Sequence, residues 1–290
     1  MISAAPLRDR IVHHALINII EPIFERRFIF HSYACRREKG THRALQQFVH
    51  WARSSRYVLK MDIHKFFPTL DHNILKQRLR RTIKDPHVLW LCDSIIAHSN
   101  EQELGVQYFS GDDLFSPLLR RRGLPIGNLT SQFFANVYLD GLDHFVKERL
   151  RGQRYLRYVD DFCCFHDDKR MLVELRAVIV DFLLGLRLRL NERKSRLRQV
   201  KEGIEFLGFV VTPDELRLNQ SAVRRQRRRV VRLQRSYAAG EATWSEVKAS
   251  LQAWNAHAEH GTTWRLRTKV FREAVFVRRG IMHLQRRSRP

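Results

Sequence analysis

The sequence predicts an α+β sheet domain followed by a basic helical domain, on three observations. Between residues 57 and 211, apolar runs of strand length alternate with segments of helical period. Two β-rich runs flank an acidic pair, Asp160-Asp161, as in a hairpin. Beyond Pro213 the composition shifts: residues 221–290 hold 17 Lys plus Arg against four Glu, on a helical pattern.

The elements follow in order. Residues 7–30 read as a helix, with Ile11, Val12, Ala15, Leu16, Ile19 and Ile20 at helical spacing and Pro22 breaking or kinking it. Residues 42–53 form a second helix. Residues 57–63 read as a strand ending in a carboxylate. After Phe66-Phe67-Pro68, Thr69 or Asp71 caps a helix to about Arg81. Residues 86–98 are helical, and 99–122, with Gly105, Gly111 and Pro117, form a hairpin or loop. Residues 129–150 make a long helix, 154–165 the acidic hairpin, and 169–185 another helix. Residues 187–211 are β-rich with a turn near Lys201-Glu202-Gly203, and the domain boundary falls near Pro213. In the last part Val247, Leu251, Trp254 and Ala258 share one helix face.

The chain has 290 residues, a hydrophobic fraction of 44% and a formal net charge of +23. That length and apolar content support one or two cored units and exclude a fully disordered chain. Thirteen Gly and eight Pro exclude collagen-like classes. Cys35, Cys92, Cys163 and Cys164 form no disulfide framework, so a reducing, cytoplasmic setting is expected. The 14 His show no zinc-site spacing. The start has no signal-peptide pattern, and no uncharged apolar run approaches membrane-spanning length. An excess of positive charge this large calls for an anionic partner. Nucleic acid is favoured over a membrane surface, for which only the C-terminal part offers a basic amphipathic helix.

Three carboxylates stand out. Asp62 ends an apolar strand, and Asp160 and Asp161 lie between apolar strands. Acids in apolar settings are costly unless paired, protonated or bound to a cation, and adjacent aspartates repel. Hard oxygen ligands select Mg²⁺, and a pair of such ions suits phosphoryl transfer, activating a hydroxyl and steadying a leaving pyrophosphate. The competing reading is a type I′ turn at Asp160-Asp161, which would want Gly at its second position. The carboxylates alone leave both readings open.

Tyr158-Val159-Asp160-Asp161 resembles the Y-x-D-D motif of reverse transcriptases. Four further segments resemble that family in order and spacing. Lys60-Met61-Asp62-Ile63-His64-Lys65-Phe66-Phe67 is similar to the first palm motif, and Gly123-Leu124-Pro125-Ile126-Gly127-Asn128-Leu129-Thr130-Ser131-Gln132 to the second. Asn191-Glu192-Arg193-Lys194-Ser195 is similar to the lysine motif and Phe206-Leu207-Gly208-Phe209 to the primer-grip turn. The resemblance spans about residues 4–212. It implies a right-hand polymerase fold, with fingers over 1–56, palm over 57–72, a fingers insertion over 73–122, palm over 123–212 and a helical thumb over 213–290. It further implies a basic fingertip segment ahead of Ala5 that this sequence does not show: either the start is misplaced, the sequence is a fragment or variant, or Arg8 and Arg10 substitute. Ile126 and Gln132 stand where group II intron and most other bacterial enzymes have Gln and Pro. This form, with the stretch from Ser250 to His260, resembles the enzymes of diversity-generating retroelements. Such enzymes copy a template RNA into cDNA with errors at template adenines, beside a pentameric basic accessory variability protein.

The resemblance also implies roles. Asp62, Asp160 and Asp161, with the Ile63 carbonyl, would hold two Mg²⁺, or Mn²⁺. Ile63, His64, Lys65, Phe66, Phe67, Ile126, Gly127 and Lys194 would meet the deoxynucleoside triphosphate. Phe67 would exclude a 2′-hydroxyl, Ile126 would loosen base selection, and Lys194 would protonate pyrophosphate, unless it is simply a solvated lysine. Ser131, Gln132, Tyr158, Phe206, Leu207 and Gly208 would hold primer and template. Arg224, Arg225 and Arg228 would meet phosphates, since seven Arg fall within positions 224–235. Asp140, Asp143, Asp167 and Asp168 read as surface acids. No membrane partner is expected. Two further readings remain: another bacterial reverse transcriptase, group II intron-like or used in phage defence, and a catalytically inactive RNA-binding module.

Overall fold

A computed structural model of the protein describes residues 5–99 and 106–278. They fall into two compact units, Met1–Gln199 and Val200–Pro290.

The first unit carries helices α1 (Leu7–Glu25), α2 (Thr41–Arg53), α3 (Phe66–Thr69), α4 (His72–Thr82), α5 (Pro86–Ala97), α6 (Ser116–Leu119), α7 (Leu129–His144) and α8 (Lys169–Gly185). Its strands are β1 (Tyr57–Asp62), β2 (Tyr155–Tyr158), β3 (Asp161–His166) and β4 (Arg196–Gln199), in an antiparallel sheet of order β2-β3-β1-β4. Central β1 buries Val58, Leu59, Met61 and Asp62, so both its faces are covered. Helix α7 buries Phe133, Phe134, Val137, Tyr138, Leu139 and Leu142, which makes it a core helix rather than a half-exposed one. Side-chain caps fix three helix starts: Asp71 accepts from the Asn73 and Ile74 amides, Asp85 from those of His87 and Val88, and Asp168 from that of Arg170.

Several expectations are corrected. Helix α1 runs through Pro22 and ends at Glu25, not residue 30. Asp71 rather than Thr69 is the cap, because Thr69 lies inside α3 and bonds back to the Lys65 and Phe66 carbonyls. The long helix stops being α-helical at His144 and closes with a π-turn over Phe145–Arg149. Residues 187–195 form no strand; they carry one bridge, Ile63 to Leu190. Within 106–122 the described backbone is loop, the short α6 and a bridge from Arg122 to Asp71, while residues 100–105, Gly105 among them, lie outside the described residues. Asp143 is fully buried, not a surface acid.

The second unit has a three-stranded antiparallel sheet of β5 (Ile204–Phe206), β6 (Phe209–Val211) and β7 (Leu216–Leu218). Helices α9 (Gln220–Ala238), α10 (Trp244–Glu259) and α11 (Trp264–Glu273) follow and close a small core of Val230, Val247, Leu251 and Val270. A reciprocal Thr243–Glu246 capping box starts α10. The expected boundary at Pro213 is corrected to Gln199–Val200. Pro213 sits between β6 and β7, so the change in composition falls inside one sheet.

The His31 ring packs 4.8 Å from the Trp51 ring. Burial, then the ammonium groups of Lys147 and Lys39, push its pKa down to about 4. The unfolded chain binds this proton near pH 6.5 and the folded chain does not, so stability is full above that pH and falls as pH drops towards 4. His31→Gln is expected to flatten the fall between pH 6.5 and 4 in thermal melts. An unchanged slope would reject this assignment.

Candidate active site

The site is built at one end of the four-stranded sheet. Asp62, the last residue of β1, lies directly across from Asp161, the first of β3. Like charges in that position are unfavourable, and here both carboxylates are held there by the ladder. Tyr158 pairs with Asp161, so the two-residue hairpin loop is Val159-Asp160, not Asp160-Asp161. Val159 adopts φ 56°, and Asp160 does not share a positive φ. This is the pattern of a II′ turn, whose first position favours Gly. A β-branched residue there stores about 1–3 kcal/mol of strain.

Burial, joined by repulsion from Asp161 and Asp62, pushes the Asp160 pKa up to about 6. Burial also raises that of Asp161, against the pull of Lys60. Two lysines act as counter-ions: Lys194 Nζ donates to Asp62 Oδ2 at 2.9 Å, and Lys60 Nζ stands 3.4 Å from Asp161 Oδ1. The Asp62 bond raises the Lys194 pKa and keeps the side chain charged. With Asp62 turned to Lys194 and Asp161 to Lys60, no three acidic, His or Cys side chains among the described residues close on one point. The donor set nevertheless fits hard cations. It offers three carboxylates, two of them destabilised as anions, and Asp161 Oδ1 already draws a cation, the Lys60 ammonium, to 3.4 Å.

The segment after β1 is stitched to the one carrying Lys194. Ile63 bridges Leu190, the His64 amide donates to the Arg189 carbonyl, and the Asn191 amide to that of Asp62. The Asp62 amide donates to Ser195 Oγ. Lys65 is left-handed at φ 45° and starts α3, which buries Phe66 and leaves Phe67 half-buried. The Phe67 and Leu70 carbonyls accept from the Leu124 and Gly123 amides, tying the second motif to the first. Past that tie Gly127 takes φ 122°, a conformation suited to glycine, and Ile126 is 39% exposed. Gln132 is exposed on α7, while Ser131 is buried and lines a cleft of about 380 Å³ with Asp9, His13 and Asn128. Tyr158 Oη lies 3.0 Å from Thr41 Oγ1.

The remaining expected residues belong to the second unit. Phe206 is buried, and Leu207 and Gly208, at φ 47° and 87°, form a type I′ turn closing β5 on β6. Arg224, Arg225 and Arg228 are exposed on α9.

The sequence reading missed Lys60 and a buried network around Arg157 and Asp143. Asn136 and Asp143 lie seven positions apart on the inward side of α7, and an Arg inside an apolar strand demands such a partner.

Residues 1–211 match the family described as reverse transcriptase (RNA-dependent DNA polymerase). The chain belongs to the reverse transcriptase family. Protein YkfC of Escherichia coli K12 is 28% identical over 240 residues, covering 70% of this chain and 60% of its own length. Nuclear intron maturase 1, mitochondrial, of Arabidopsis thaliana is 22% identical over 70% of this chain and 40% of its own. Apo telomerase from Candida tropicalis superposes with a TM-score of 0.50 at 14% identity, over 72% of this chain and 44% of that one. The chain thus spans less than two thirds of these relatives. The telomerase likeness shows the fold, that of a right-hand polymerase built on antiparallel sheets. Reverse transcriptases as a family use divalent metal ions.

If the chain polymerises as proposed below and Lys194 acts there as general acid, Lys194→Ala is expected to slow nucleotide addition about 10²–10³-fold. Lys194 is 63% exposed but its partner Asp62 only 7%, so the variant leaves a buried carboxylate without its counter-ion and should also lower thermal stability, by about 1–3 kcal/mol. Single-turnover kinetics beside a melting curve would show both, and a rate within threefold of the parent would remove Lys194 from the chemistry.

Proposed function

We propose that this protein is an RNA-directed DNA polymerase that copies a template RNA into cDNA. One observation carries the reading: in a chain of this family, the buried Asp62 and the half-buried Asp160 and Asp161 are brought together, mutually repelling, at one end of the sheet by the β1–β3 register and the hairpin turn. These three residues, with the Ile63 carbonyl, would hold two Mg²⁺, or Mn²⁺. When bound, the ions neutralise phosphate charge and favour ionisation of the primer hydroxyl. The chain's own groups do the rest. Lys194 supplies a proton to the departing pyrophosphate, Phe67 rejects a 2′-hydroxyl, and Ile126 with Gly127 faces the new base pair. Phe206, Leu207 and Gly208 support the primer end, and the exposed arginines of α9 meet backbone phosphates. In this reading the fingers, palm and thumb follow the order set out from the sequence, and the protein works in the cytoplasm.

Within the family we favour the diversity-generating type, error-prone at template adenines and acting with a pentameric accessory protein. The support is Ile126 and the Ser131-Gln132 pair in the second motif. A second reading, an intron-type enzyme, is favoured by relatives named as an intron maturase and as yeast COX1/OXI3 intron proteins. Primer extension on an RNA template with Mg²⁺ and deoxynucleotides, with and without an accessory protein, tests the activity against an Asp160→Ala, Asp161→Ala control. Extension lost in the control supports the polymerase. Absence of extension in every arm would favour an RNA-binding module. Sequenced products separate the two types, since adenine-biased errors belong to the first. Ile126→Gln is expected to lower the adenine error frequency several-fold, and an unchanged error spectrum would detach Ile126 from fidelity.

A further inference from the structure

Arg157 is wholly buried, one residue before Tyr158 on β2. All five of its N–H donors are used. Nε donates to Asp143 Oδ1 at 2.8 Å, and Nη2 to Asp143 Oδ2 at 2.6 Å and to Ser32 Oγ at 3.1 Å. Nη1 donates to Asn136 Oδ1 and to the Val159 carbonyl, both at 3.0 Å. The backbone is held as well: the Arg157 amide donates to the His31 carbonyl and its carbonyl accepts from Tyr33. Tyr155 Oη adds a bond to Asp143 at 2.7 Å.

A buried ion pair alone is weak grounds for function, since such pairs often add little stability. The fifth donor is the informative one. It holds the carbonyl of Val159, the left-handed β-branched residue of the turn that carries Asp160. A non-glycine residue keeps such a conformation only when its surroundings over-determine it. Here the restraint comes from the guanidinium, which is locked in turn to α7 through Asp143 and Asn136 and to the α1–α2 connection through Ser32.

We infer that Arg157 is a positioning residue for the polymerase reaction: its guanidinium clamps the strained Val159-Asp160 turn and so aims the Asp160 carboxylate at the cation it is to hold. This rests on the polymerase reading above. Arg157 never touches substrate; it acts through the turn. Lysine in its place keeps a positive charge for Asp143 but lacks the fork that reaches Val159 and Asn136 together.

The test compares the parent, Arg157→Lys, Val159→Gly and the double variant. Circular dichroism checks folding, Mn²⁺ binding to the protein alone is followed by electron paramagnetic resonance, and single-nucleotide addition gives kcat and KM. Arg157→Lys is expected to lower kcat on the order of 10²-fold, the cost of a misplaced reacting group, with nucleotide KM within about threefold. Mn²⁺ affinity should fall about tenfold, a change typical of lost outer-shell support. Val159→Gly removes the strain the clamp restrains, so in the Arg157→Lys background it should recover about tenfold of the lost rate relative to Val159→Gly alone. A folded Arg157→Lys protein with parental kcat and Mn²⁺ affinity overturns the inference, as does a loss that Val159→Gly leaves untouched. If Arg157→Lys fails to fold, Asn136→Ala keeps the Asp143 bridge while loosening the arm that reaches Val159, and it should show a loss of about tenfold. Parental activity there would count against the clamp. An inactive parent that binds Mn²⁺ normally would defeat the polymerase reading instead, leaving the Mn²⁺ comparison to decide the clamp.

Discussion

Asp160→Asn is expected to abolish primer extension, by on the order of 10³-fold or more, while leaving the melting temperature of the metal-free protein unchanged or higher. The two effects have one cause. Asp160 is half-buried beside Asp161 and Asp62, so its charged form is disfavoured and its pKa rises to about 6. The folded protein therefore holds a proton on Asp160 that the unfolded chain gives up near pH 3.8, and stability falls as pH rises through that window. Asn carries no charge to desolvate. Its advantage in chelator-treated protein should be absent below about pH 3.8 and complete above about pH 6. In the proposed polymerase reading the same substitution removes a hard anionic ligand, a loss of transition-state stabilisation worth several kcal/mol. Melts with and without Mg²⁺ make the contrast: added Mg²⁺ should stabilise the parent more than the variant. A variant that loses stability in chelator, or retains extension, would contradict the placement of Asp160.

Arg157→Met is expected to have the largest effect on folding, about 3–5 kcal/mol, because it leaves Asp143 as an uncompensated buried charge. In a unit of this size that is a fall of roughly 10 °C. Adding Asp143→Leu should restore most of the loss, since replacing both partners of a buried pair by apolar groups is often near neutral. The repaired protein should still fail in catalysis, because the Val159 carbonyl remains without its donor. Denaturant titration and extension assays on the single and double variants would read the two quantities separately. Recovery of both together would mean that the pair serves stability alone.

The sequence disclosed the site better than its supports. Asp62, Asp160 and Asp161 are legible because acids in apolar strands are a local pattern, and Lys194 only through the resemblance of its segment to a family motif. Asp62 and Asp161 face each other only through the β1–β3 register, a non-local fact that strand periodicity hints at and cannot fix. A turn at Asp160-Asp161 falls one residue late, because turn preferences assume relaxed residues while Tyr158 pairing with Asp161 forces Val159 into the left-handed region. Asp143 reads as a surface acid because helix ends usually carry such residues; its burial follows from Arg157, fourteen positions on in another element. Pro22 misleads in the other direction, since a helix packed on a core can tolerate one missing donor. The boundary at Pro213 followed composition, whereas strand pairing joins β6 to β7 across it.

The facing of Asp62 and Asp161 across paired strands also separates what protein engineering can alter from what it cannot. The chain between them includes an exposed turn at Gly111, where an added side chain meets open space. Closing a longer loop there is cheap, about 0.6 kcal/mol for each doubling of length. Reporter peptides or whole inserted modules should therefore be accepted at that turn with the chemistry intact. One extra residue between Lys60 and Asp62, or between Asp161 and Cys163, would rotate the following side chains to the opposite face of the sheet and dismantle the pair.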